Sequence, residues 1–111
     1  MSHSKHRQRW ARQTLAQRAV KLGSTMEFIV DRHGEASQRW CIHLTEHALR
    51  QARRDGIGPY DIFGCLWLGT RRPIGNSISW LHRQIFVTSN PTTTEAGTTT
   101  AVVESCHRST P

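Results

Sequence analysis

The longest uninterrupted apolar run in the chain is IFGCLWL, residues 62–68. It is far shorter than the ~20 residues a membrane-spanning helix needs. Its length suits a buried strand, and turn-forming residues flank it: Gly56, Gly58 and Pro59 before, Pro73, Gly75 and Asn76 after. Residues 60–69 and 77–88 therefore read as the two strands of a β-hairpin whose loop is longer than two residues. The second strand has a helical alternative, because Ile78, Leu81 and Ile85 also fit a helical spacing.

Residues 25–31, TMEFIVD, are β-branched and aromatic enough for a short strand. Residues 5–22 read as a helix that Ser4 caps and Gly23 ends. Ala11, Leu15, Ala19 and Leu22 form one stripe on it, with Arg7, Trp10, Arg18 and Lys21 on another face. A second helix is expected over 35–55, ended by Gly56, with Trp40, Cys41, Leu44, Ala48 and Ala52 on its apolar side. Its opposite side carries Arg39, His43, Glu46, Arg50, Arg53 and Arg54, with His47 at the border. From Thr88 onward 11 of the last 24 residues are Ser or Thr, and Val102 and Val103 are the only large aliphatics. That stretch reads as a disordered tail.

The expected fold class is α+β: a small single domain with two basic amphipathic helices, a short strand, a β-hairpin and a disordered C-terminal tail. Its divisions are a basic helix in 1–24, a folded part over 25–87 and the tail from 88 to 111. Hydrophobic residues make up 36% of the 111, which allows only a thin core.

Charge points to a partner. Fifteen Lys and Arg oppose eight Asp and Glu for a net +7, and only Lys5 and Lys21 among the cations are not Arg. Arginine's planar fork of donors suits phosphate better than an ammonium does. Arg7, Arg9, Arg12 and Arg18, then Arg50, Arg53 and Arg54, then Arg71 and Arg72 are the candidate nucleic-acid-binding residues. RNA is favoured over DNA, with phosphate neutralisation and little base readout as the mechanism. The alternative is a non-enzymatic protein-interaction module that grips a partner through Leu15, Ala19 and Leu22. Arg in excess of Lys, scattered Trp, Cys and His, and a Ser/Thr-rich end are what overlapping reading frames of small viral genomes tend to produce. Such an accessory protein would act on host RNA or host factors.

Residues 43–47, HLTEH, spell H-x-x-E-H, the helix signature of inverted zinc peptidases. Two His at i and i+4 would hold the metal and Glu46 would activate its water, but a third acidic ligand and the mass for a substrate cleft are missing. A structural zinc site would need Cys65, His33 or His82 beside the pair, and on one helix Cys41 falls about 160° round from His43. Neither a catalytic site nor a cofactor is expected. GIGPYD, residues 56–61, lacks the third glycine of a dinucleotide fold, and Trp10 between Arg9 and Arg12 could stack on an unpaired base. Three scattered cysteines and a polar N-terminus lead us to expect an intracellular protein, nuclear or cytoplasmic rather than secreted.

Overall fold

Strict alternation governs the first part of the computed structural model, which describes residues 20–31 and 37–109. Thr25–Val30 form strand β1, burying Met26, Phe28 and Val30 on one side. Gln38–Leu44 form β2, antiparallel to it, with Ile42 opposite Met26 and Trp40 opposite Phe28. The single helix expected over 35–55 is thereby corrected: its first half is a strand, and helix α1 occupies only Glu46–Asp55. The helical reading failed for a simple reason. A spacing of four is even, so Trp40 and Leu44 share a strand face as readily as a helix face. The junction is marked by Thr45, whose hydroxyl accepts the Ala48 N–H at 3.1 Å. Gly56, at φ 66°, closes α1 by donating to the Ala52 carbonyl.

The apolar run is a helix rather than the expected hairpin strand. Pro59–Leu68 form α2, with proline at its first position, and the Asp61 carboxylate accepts the Gly58 N–H at 2.8 Å. Ile62, Phe63, Cys65 and Leu66 are buried at helical spacing. Phe63 stacks on Phe28 of β1 at 4.4 Å and meets Trp40 of β2 edge-on at 5.5 Å. Two residues on, the Cys65 thiol donates to the carbonyls of Ile85 at 3.4 Å and His82 at 3.8 Å. Strands from both halves of the sheet, β1 and β2 on one side of β7 and β4 and β5 on the other, thus meet one helix.

The hairpin lies later than the sequence suggested. Thr70–Ile74 (β3), Ser77–His82 (β4) and Ile85–Ser89 (β5) form an antiparallel meander, so the 77–88 run makes two strands and no helix. Its second turn holds Arg83 and Gln84 at φ 50° and 67°, a left-handed pair that matches strand twist. The supposed tail is the largest correction. Thr92–Thr93 form β6, and Thr98–Arg108 form β7, the longest strand. The seven-stranded mixed sheet runs β1-β2-β7-β5-β4-β3, with β6 also beside β7. Among the described strands only β2 and β7 pair in parallel. With 49% strand against 24% helix among the described residues, these form a mainly-β sheet carrying two helices, not the expected balance of helix and strand.

Small side chains explain how β7 works as an interior strand. Its inward residues are Thr99, Ala101, Val103 and Cys106, all buried, and α1 packs on them with Ala48 and Ala52. The Cys106 thiol donates to the Ala48 carbonyl at 3.3 Å. A register shift at Thr88/Ser89 lets β7 keep pairing β5 after leaving β2. The helices cover one face of the sheet and leave the other open. The expected helix over 5–22 lies outside the described residues up to position 19. Residues 20–22 are irregular, and Val20 and Leu22 pack partly buried against the core.

Candidate nucleic-acid interface

The candidate arginines fall into three places. Arg50, Arg53 and Arg54 are exposed on α1, as its amphipathic pattern requires. Two of them are engaged: Arg50 pairs with Glu46 at 2.6 Å, one turn back, and Arg54 pairs with Asp55 at 2.9 Å. Arg53 has no ion pair among the described residues. Exposed pairs of this kind contribute little to stability, so a phosphate can replace either carboxylate. The hydrogen bond from Arg54, followed by one from the Arg108 backbone, holds the Asp55 carboxyl below its ordinary range.

Arg71 and Arg72 are exposed on β3, opposite Trp80 and Ser79 of β4. Neighbouring strand residues point to opposite faces, so Arg71 projects on the helix side and Arg72 on the open side. β3 is the outermost strand, with β4 and β5 between it and the β7 strand under α1. Two strands therefore separate Arg71 from the α1 arginines, and Arg72 lies on the opposite face from them. Arg7, Arg9, Arg12 and Arg18 lie outside the described residues, as does Trp10.

Three further described arginines stood outside the candidate set, Arg39 among them although it was expected on the polar side of the second helix. Arg39 bonds Glu27 across the open sheet face at 2.6 Å. Arg108 is spent on the carbonyls of Asp55 and Gly56. Arg83 is exposed in the β4–β5 turn, near the start of β3, because Thr70 sits opposite Leu81. Its turn contains none of the Gly or Asn that normally mark a left-handed pair.

The H-x-x-E-H residues do not share a helix. His43 stands on β2, 3.4 Å from Thr25 Oγ1, whereas Glu46 and His47 open α1. Thr45 breaks the i, i+4 relation that zinc would need. Cys41 and His43, two apart on a strand, share the open face, so the angular separation inferred from a helix is corrected. Cys65 and Cys106 are buried on the helix side, where burial pushes their thiols up to about 12 and about 11. Among the described residues no group of three or more His, Cys, Asp or Glu is placed to hold a metal ion. Trp40 and Trp67 stack at 6.2 Å and pack against the core. Among the described residues no helix is long and apolar enough to cross a membrane.

No protein-family model matches the chain, and neither a curated protein nor a solved structure is significantly similar to it.

Proposed function

We propose that the protein binds nucleic acid, RNA before DNA, by neutralising phosphates with arginine and with little base readout. The observation that carries this reading is where the charge surplus lies. Nine Lys and Arg oppose seven Asp and Glu among the described residues, whereas residues 1–19 contain five Lys and Arg and no acid. The folded body is nearly balanced, and the first 19 residues hold most of the excess. Arg53, Arg71, Arg72 and Arg83 add exposed guanidinium groups that no described carboxylate engages. RNA is preferred because a helix presenting arginine reads an A-form duplex by shape and backbone. In a protein of viral origin the target would be host RNA.

Gel shifts with double- and single-stranded RNA over a range of salt test the reading. Changing Lys5, Arg7, Arg9, Arg12 and Arg18 together to Gln removes up to five phosphate contacts. The slope of log K against log salt should shrink by about three to five, and affinity should fall for every RNA sequence alike. An unchanged slope would sink the proposal.

The second reading, a protein-interaction module, is favoured by Ile74, Leu81 and Val102. All three project on the open sheet face, 56%, 39% and 50% exposed. The stripe first suggested for that role is weakened, because Leu22 already packs against the core. A partner held on the open face would survive the five Gln changes.

A further inference from the structure

The three strands of the meander carry no acid. From Ile62 to Thr94 the chain contains Arg71, Arg72 and Arg83 and not one Asp or Glu. Arg72 projects on the open face of the sheet from β3, and Arg83 stands in the turn from β4 to β5. A turn of that hand takes Asn-Gly most readily, yet its first place here holds an arginine.

Register arranges this end of the open face in rows. Phe86 lies opposite Leu81 on one side and His107 on the other, and Thr88 lies opposite Ser79 and Ser105. Ile85 and Val87 are buried on the helix side, so Phe86, Thr88 and their partners share the open face. The Phe86 and His107 rings stack at 5.3 Å with 20° between their planes. β2 pairs with β7 only as far as Val103, so no described strand flanks His107 on its outer side, and His107 is exposed. The Thr88 row ends at Arg72, opposite Ser79. With strands ~4.8 Å apart, Arg72 stands about 12 Å from Phe86, close enough for its long side chain to meet a phosphate beside a base on the rings.

A cross-strand ring pair steadies its strands. This one also meets water, among hydroxyls and beside two guanidinium groups that no described carboxylate engages. The carboxylates at its margin are occupied: Glu104 accepts the Ser77 hydroxyl at 3.1 Å, and Asp55 accepts from Arg54 and from the Arg108 backbone. Such a surface suits a ligand that is both flat and anionic. A protein partner would want a contiguous apolar core, whereas the apolar groups here are parted. The Ser79 row separates Ile74 from Leu81, and Val102 lies opposite His43 on the other side of the sheet.

We propose that this end of the open face holds a single-stranded stretch of RNA, its bases stacked against the Phe86–His107 pair and its phosphates taken by Arg72 and Arg83. The proposal rests on the nucleic-acid reading and deepens it. The ligand here is unpaired strand, because a base inside a duplex is already stacked on both faces. Stacking tolerates every base, in keeping with little base readout.

Titration of the full chain with an oligouridine, and with a blunt RNA duplex of the same length, tests this at several salt concentrations. Phe86→Leu keeps apolar bulk without a ring face. It should weaken oligouridine binding roughly tenfold with the salt slope unchanged, because stacking releases no counterions. Phe86→Tyr should bind as the parent does, and the duplex should bind parent and Phe86→Leu alike. Arg72→Gln with Arg83→Gln should lower the oligouridine slope by about one. The parent should bind an abasic strand of equal charge roughly tenfold more weakly than oligouridine, a comparison that depends on no variant folding. Equal affinity for the abasic strand, parent affinity in a folded Phe86→Leu, or a weakening shared by the duplex would overturn the proposal. So would a parent dimer that Phe86→Leu splits, since a second copy would then cover the face. Each of these leaves intact the slope carried by Lys5, Arg7, Arg9, Arg12 and Arg18, whereas a parent without RNA affinity would end both readings.

Discussion

Arg108 donates from Nε to the main-chain carbonyl of Asp55 at 2.8 Å and from Nη2 to that of Gly56 at 3.2 Å. The last residue of β7 thus satisfies carbonyls at the end of α1 that have no donor within the helix. Its backbone N–H reaches the Asp55 carboxylate as well, at 3.1 Å. Arg108→Ala should lower the urea midpoint by an amount equivalent to roughly 1 kcal/mol. Arg108→Lys should recover only part of this, since an ammonium lacks the fork. An Ala variant with the parent midpoint would show that the contact is idle.

A chain ending at residue 97 lacks the strand that joins the two halves of the sheet. β2 and β5 would each lose a partner, and the Ala48 and Ala52 side of α1 would face water. We expect no cooperative thermal transition and strong dye binding by exposed apolar surface. A sharp melt near that of the full chain would mean that β7 is dispensable.

Much of this was hidden for a physical reason. β1 was legible because Met26, Phe28 and Val30 are large and alternate. β7 alternates too, but its inward side is Thr99, Ala101, Val103 and Cys106, sized to let α1 approach. A search for large aliphatics passes over such a strand, although threonine is a good strand former. α2 was misread because an apolar run fits strand and helix alike, and the deciding signs were polar ones, Gly58-Pro59 with Asp61 three beyond the cap. The arginines of the candidate interface were visible as residues but not as neighbours. Whether Arg71 and Arg54 share a surface depends on strand order, which no local pattern encodes.

The cysteines divide by environment. Cys41 is part-exposed on the open sheet face, whereas Cys65 and Cys106 are buried. A thiol reagent at neutral pH should modify one cysteine in the native chain and three after denaturation. The two buried thiols also couple stability to pH. The ordinary value is 9.0, and burial raises them to about 12 and about 11. Above pH 9 the unfolded chain releases protons that the native state retains, so their contribution falls as pH rises towards 11 and 12 and is fully present below 9. A Cys65→Ala, Cys106→Ala variant should lose stability less steeply over that interval than the parent. Identical pH profiles would remove the thiols from the account.

The parallel pairing of β2 with β7 has a consequence for how the molecule comes into being. Thr45, just after β2, donates its hydroxyl to the carbonyl of Glu104, 59 residues later. Until that distant strand arrives, β1 and β2 form only a two-stranded ribbon, marginal in water by itself. The β3–β5 meander can assemble early from its own local turns. The β1–β2 ribbon must wait, its apolar side uncovered, until β7 has been synthesised. Such long-range closure makes folding slow and the waiting species prone to aggregate. The cell meets this sequence first as a chain in need of protection, and only once β7 has emerged as a folded domain.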